Sequence, residues 1–312
     1  MFFNRNQSNF IIASPRSGTT WMSKMLNAHP EIFCVERRLF GDYADLVLDE
    51  GAKNPRLRVT LDKYTNSLFQ HHGFSKKLKK RLLKSFISSL QHEETKLSGK
   101  KTIVDKITPY VNTSDKVIHN INDFFPKSKI IYLVRDGRDV LTSGVFHWFN
   151  KQSAHEELSS FEKKRREIHL NKTEEQLPRF FQDKEIQQWA NEWVQPIRTI
   201  EEAKKKHHVK VIHYEDLLIN TEVVLEDCLR FFSSKTSNKV IVKCLEEGSF
   251  KKMSAGREKG TAVQNAHVRK GISGDWKNYF TYEDGKLFQE IVGDALVKYG
   301  YETDEKWYEK IR

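Results

Sequence analysis

Residues Ser14, Pro15, Arg16, Ser17, Gly18, Thr19, Thr20 and Trp21 lie between an apolar β-type run, Phe10 to Ala13, and a helix-forming stretch, Met22 to Ala28. A strand that turns sharply through a glycine into a helix leaves several backbone N–H groups without intrahelical partners. They converge on one spot, with the positive end of the helix dipole behind them. Arg16 adds a fixed charge, and Ser17, Thr19 and Thr20 add hydroxyl donors, so a phosphate or sulfate group is the natural guest. Taken alone, the segment also fits a tight turn with a helix cap.

A nucleotide triphosphatase loop places a Gly-Lys-Ser/Thr at its end, with the lysine on the terminal phosphates and the hydroxyl on magnesium. Here no lysine follows Gly18; the basic residue is Arg16, and Trp21 closes the motif. The pattern resembles the 5′-phosphosulfate loop of the sulfotransferase family, Lys-Ser-Gly-Thr-Thr-Trp, whose members use 3′-phosphoadenosine 5′-phosphosulfate (PAPS). Two further segments carry the same resemblance. Arg135-Asp136-Gly137-Arg138-Asp139 follows the apolar run Lys129 to Val134, and Ser143 comes eight residues after Arg135. In the family an arginine and a serine at this spacing hold the 3′-phosphate. Without the resemblance, Arg135 and Asp139, four apart, read as a solvated pair on a helix face. Near the C-terminus, Arg269-Lys270-Gly271-Ile272-Ser273-Gly274-Asp275-Trp276-Lys277 resembles the family's Arg-Lys-Gly-x-x-Gly-Asp-Trp-Lys signature. Two adjacent cations and a glycine that lets the backbone approach closely suit a dianionic phosphate. The resemblance also implies an adenine pocket of Trp21, Tyr214 and Phe250.

Sulfuryl transfer needs positioning and charge stabilisation at a loose, in-line transition state, which cations supply without a required metal. It also needs a cation or acid at the bridging oxygen and a base for the acceptor proton. Lys106, in Asp105-Lys106-Ile107-Thr108-Pro109, is the candidate for the first, because family members place a lysine there. The segment is closer to the Lys-Thr/Ser-Pro pattern of carbohydrate-modifying members. Arg16 holds charge but cannot give up a proton at neutral pH. The base of the small-molecule branch is a histidine two residues after the lysine, where this chain has Thr108. The other branch uses a glutamate soon after the first helix, a place comparable to Glu36; His29 and His147 are the reserve candidates. The resemblance therefore implies catalytic roles for Glu36, Lys106, Arg16 and Ser143. Cofactor contacts would come from Arg16 through Trp21, Arg135, Ser143, Tyr214, Phe250, Arg269, Lys270 and Gly271.

These residues must be positioned by strands. Phe10 to Ser14, Thr102 to Lys106, Lys129 to Arg135 and Val209 to Glu215 are short apolar runs, each followed by helical periodicity. The alternation predicts an α/β fold, a parallel sheet with helices on both faces, in one domain over residues 1–312. Helical insertions are expected near 37–100 and 151–185, where acceptor pockets and lids belong. A net charge of +11 favours anionic partners without choosing among them. The rival readings are a P-loop kinase-like enzyme and a non-catalytic protein that holds PAP or a polyanion. Cys34, Cys228 and Cys244 lie in apolar surroundings without ligand spacing, which suggests reduced thiols and a cytoplasmic protein. No stretch spans a bilayer, no signal peptide is evident, and neither a membrane nor nucleic acid is expected as partner. The expected acceptor is a small molecule or glycan bearing a hydroxyl or amine. The family's dimer segment is altered at Tyr282 and Lys286, so that particular dimer is not expected to form.

Overall fold

The computed structural model describes residues 8–35, 67, 70, 75–109, 114–151, 158–171, 177–253, 256 and 271–311. Five strands, β1 (Asn9–Ile12), β2 (Ile32–Val35), β3 (Thr102–Ile107), β4 (Lys129–Val134) and β5 (His208–His213), form one sheet in the order β2-β3-β1-β4-β5. Every pairing is parallel, with Ile11 opposite Lys106 and Ile131, and Ile12 opposite Ile107 and Tyr132. The helices, in chain order, are α1 (Thr19–Ala28), α2 (Lys76–Ser98), α3 (Ser114–Phe124), α4 (Gly137–Lys151), α5 (Ser160–Asn171) and α6 (Asp183–Ala203). They continue with α7 (Tyr214–Ile219), α8 (Thr221–Phe231), α9 (Asn238–Glu247), α10 (Phe250–Met253), α11 (Tyr282–Val292) and α12 (Ala295–Lys298). Two 3₁₀ turns, Asp275–Asn278 and Trp307–Lys310, complete the C-terminal part.

Successive side chains of a strand point to opposite faces, and a parallel sheet covered on both faces reads as near-continuous apolar sequence. Accordingly Phe10 and Ile12 of β1 join Ile130, Tyr132 and Val134 in a core with α3, α4, α6 and α11. Ile11, Ala13, Ile131 and Leu133 face a second core with α1, α8 and α9. The anticipated doubly covered parallel sheet is therefore present, with strand ends shifted by one or two residues. One strand was not anticipated. The interval between the first two sequence-read strands contains β2, a four-residue edge strand paired to β3. All three cysteines are free and buried, and burial pushes the thiols of Cys34 and Cys228 up to about 12.

The strand order sets the site. From β1 the chain leaves through α1 on one face, whereas from the adjacent β4 it leaves through α4 on the other. Crevices of this kind, outside the carboxyl ends of strands whose connections diverge, are where open α/β sheets bind ligands. The packing of α4 against α6 is unusually close. A Cβ at Gly137 would lie 2.5 Å from the Trp193 ring, and one at Gly144 would lie 2.2 Å from the Trp189 ring. Trp193 uses that proximity to donate its indole N–H to the Arg135 carbonyl at 2.7 Å, which fixes the turn after β4.

Candidate functional site

After β1 the chain reverses through two left-handed residues, Arg16 (φ 67°) and Gly18 (φ 86°), and enters α1 at Thr19. A non-glycine residue in this conformation costs about 1–2 kcal/mol, so tertiary contacts must hold it. Arg135 donates to the Arg16 carbonyl at 3.0 Å, and Arg16 Nε donates to Ser143 Oγ at 3.3 Å. Helix α1 has no side-chain cap and no acidic residue in its first turn, so neither offsets the positive end of its dipole. Ser17 is fully buried, and its Oγ has no hydrogen-bond partner among the described residues. An unpartnered buried hydroxyl costs about 1–3 kcal/mol, and an anion seated in the loop would supply its partner.

Lys106 reaches this loop from β3. Strand parity puts it on the α1 face with Val104, while its neighbour Asp105 faces the other way. Its side chain is 5% exposed, and Nζ lies 3.5 Å from Thr20 Oγ1. A surface lysine beside Asp105 is thereby excluded.

Arg135 is the hub. Besides the Arg16 carbonyl, it donates to the Ile272 carbonyl at 3.2 Å, and its guanidinium lies 4.6 Å from the centroid of the Tyr214 ring. Its Nε has no hydrogen-bond partner among the described residues. Tyr214 opens α7 directly after β5, and its ring leaves no room for a side chain at Gly18, where a Cβ would approach to 2.6 Å. Burial raises the Tyr214 phenol above its ordinary pKa, and Arg135 only partly offsets that. Trp21 stands edge-on to Tyr214 at 6.0 Å and donates to the Gly248 carbonyl at 2.7 Å.

The solvated-pair alternative for Arg135 and Asp139 does not hold. Their groups are 3.8 Å apart, with side chains only 9% and 1% exposed. The Asp139 carboxylate accepts from the amides of Gly274 at 2.7 Å and Trp276 at 3.0 Å, and from Ser273 Oγ at 3.3 Å. Burial raises the Asp139 carboxyl, although Arg135 and those two amides pull the other way.

Of the residues anticipated from sequence, Arg16, Ser17, Gly18, Thr19, Thr20, Trp21, Lys106, Arg135, Ser143 and Tyr214 gather at one end of the sheet. Gly271, with φ 66°, precedes the Ile272 carbonyl held by Arg135. Glu36, Arg269 and Lys270 lie outside the described residues. Phe250 begins α10, two residues after the glycine that holds Trp21, and its side chain is likewise not described. His29 is occupied structurally. Its Nδ1 accepts from the Glu31 amide at 3.0 Å, which leaves the proton on Nε2 for the Lys235 carbonyl at 2.9 Å. Both ring nitrogens are thus engaged by backbone groups. His147 sits half-buried on α4.

The supporting roles of three residues escaped the sequence reading. Asp139 holds the C-terminal loop, and Trp193 holds the Arg135 carbonyl. Glu215 accepts from the Asp136 amide and the Tyr301 hydroxyl, each at 3.1 Å, and burial raises its carboxyl. Gly137, beside the Arg-Asp pair, was the available sign of a close packing partner. Among the described residues no group of three His, Cys, Asp or Glu side chains could hold a metal.

Comparison with known proteins agrees with this geometry. Residues 7–300 match the family model described as sulfotransferase domain. Guinea pig (Cavia porcellus) 3-alpha-hydroxysteroid sulfotransferase is 23% identical over 308 residues, which cover 96% of this chain and 86% of that protein. Mouse (Mus musculus) sulfotransferase 2A6 is 26% identical over 212 residues, 64% of this chain and 68% of that one. Among solved structures, mouse sulfotransferase SULT7A1 complexed with PAP superposes with a TM-score of 0.52 at 17% identity, covering 98% of this chain and 88% of that chain. The sulfotransferase domain of the Synechococcus PCC 7002 olefin synthase gives a TM-score of 0.51 at 15% identity, covering 93% and 96%.

Proposed function

The chain belongs to the sulfotransferase family and is a PAPS-dependent sulfotransferase, and from that premise we propose how its own residues divide the work. The loop of Arg16, Ser17, Gly18, Thr19 and Thr20, with the N-terminus of α1, holds the 5′-phosphosulfate end. Arg135 and Ser143, joined by Arg269, Lys270 and Gly271, hold the 3′-phosphate; Trp21, Tyr214 and Phe250 enclose the adenine. When bound, PAPS supplies an activated sulfuryl group. Lys106 neutralises charge building on the departing phosphate oxygen and is able to donate a proton there, which Arg16 is not. Glu36 takes the proton from an acceptor hydroxyl or amine on a small molecule or glycan.

The observation that carries this reading is the convergence of Arg16, Lys106, Arg135 and Ser143, drawn from three different strand ends, on an uncapped helix terminus with a buried unpartnered Ser17 hydroxyl. Among the described residues no helix is long and apolar enough to cross a membrane, and the three free buried thiols favour a cytoplasmic setting. The test is thermal: PAP raises the melting temperature well above the shift given by ATP with magnesium, which lacks the 3′-phosphate. Equal shifts from the two nucleotides would favour the kinase-like alternative.

A further inference from the structure

We propose that Asp139 is a positioning residue that ties the C-terminal phosphate loop to the 3′-phosphate pocket, so that the chain following Arg269 and Lys270 is held against the turn between β4 and α4. The inference rests on the reading that Arg135 and Ser143 face the donor's 3′-phosphate.

Two anchors from that turn grip the loop. Arg135 donates to the Ile272 carbonyl at 3.2 Å, and the Asp139 carboxylate receives the Gly274 amide, the Trp276 amide and the Ser273 hydroxyl within 3.3 Å. The left-handed conformations of Gly271 and Gly274, φ 66° and 82°, turn the backbone so that carbonyl and amides face opposite charges. Asp139 and Arg135 also face each other at 3.8 Å, so the acid orients the guanidinium assigned to the phosphate. The far end of the loop is pinned independently. The Trp276 ring lies 3.9 Å from the Arg138 guanidinium, whose other neighbours are the Trp307 ring at 4.4 Å and the carboxylates of Asp136 and Glu302. Residues 271–274 thus form a short arm between a fixed anchor and the two cations that precede it. A carboxylate suits this place because it accepts only; an asparagine amide would turn an N–H toward a backbone N–H and remove the charge facing Arg135.

The experiment is calorimetric binding of PAP and of adenosine 5′-phosphate (AMP), which differ only in the 3′-phosphate, to the wild type and Asp139→Asn. In the variant, PAP binding weakens by about 10–100-fold while AMP binding stays within about three-fold, the difference expected from losing charged hydrogen bonds at one phosphate. A wild type that binds PAP and AMP alike defeats the underlying reading of the pocket. A wild type that prefers PAP, with a variant that keeps the preference or loses both nucleotides equally, defeats the positioning role alone. Hydrogen exchange in the unaltered protein gives a readout that does not depend on the variant folding. PAP, and not AMP, slows amide exchange across residues 271–278; equal protection by both nucleotides overturns the proposal.

Discussion

Replacing Gly18 by alanine tests the geometry of the anion loop at its tightest point. The residue sits at φ 86°, where a side chain costs about 1–2 kcal/mol in backbone strain. The added Cβ would also lie 2.6 Å from two carbons of the Tyr214 ring, closer than real contacts allow. That ring has little freedom to retreat, with the Arg135 guanidinium 4.6 Å from its centroid and Trp21 at 6.0 Å. Overpacking of this kind adds about 1–3 kcal/mol, for a total of roughly 2–5 kcal/mol. In a domain of this size such a loss lowers the melting temperature by on the order of 3–8 °C. Displacing Tyr214 also shifts its Arg135 partner, so PAP binding should weaken by at least about tenfold. Differential scanning calorimetry and titration calorimetry read both effects. A Gly18→Ala protein that melts within about 1 °C of wild type and binds PAP normally would refute both the left-handed turn and the Tyr214 contact.

In its proposed role Lys106 acts as charge develops on the leaving oxygen, so Lys106→Ala should lower kcat by about 10²–10³ while PAP affinity changes only a few-fold; an unchanged kcat in steady-state kinetics would remove Lys106 from the chemistry. Glu36→Gln keeps the shape and removes the basic oxygen, so turnover should fall by roughly 10²–10⁴ with PAP binding intact. Activity within a few-fold of wild type would turn attention to His147. For Glu201, burial alone would raise the carboxyl, but hydrogen bonds from Lys204, Lys298 and Tyr299 outweigh it and bring the pKa from 4.5 down to about 2. Its folded pKa is depressed, so its contribution is complete above about 4.5 and is lost as the pH falls toward about 2. Acid unfolding of Glu201→Gln, followed by circular dichroism, should show a shallower stability loss across that window; an identical acid limb would contradict the assignment.

The interior strands were legible because a strand buried on both faces must be apolar throughout, as Ile130 to Val134 are, and because each run ends in a motif with charge or glycine. The face chosen by Lys106 follows from simple alternation with Val104. Edge strand β2 was harder: four residues, Ile32–Val35, with alternating burial make a weak signal beside a helix. Burial of the Arg135–Asp139 pair was not legible at all, since the groups that cover Asp139 lie 135 and 137 positions away in sequence. The same holds for Arg138, whose aromatic neighbours Trp276 and Trp307 come from the C-terminal turns. His29 shows the converse. A histidine beside an apolar helix proved to be fully used by backbone partners from Glu31 and Lys235.

The most direct test of the central claim is transfer of radiolabelled sulfuryl from PAPS, in the presence of EDTA, to a panel of phenols, alcohols, amines and glycans. The wild type and Arg135→Ala would be compared at equal, subsaturating PAPS. The wild type should label at least one acceptor with an equal yield of PAP, and Arg135→Ala should fall by a factor corresponding to about 2–5 kcal/mol, the loss expected when one partner of a buried charge contact is removed. No labelled acceptor from the folded, PAP-binding wild type, or equal labelling by wild type and variant, would contradict the account.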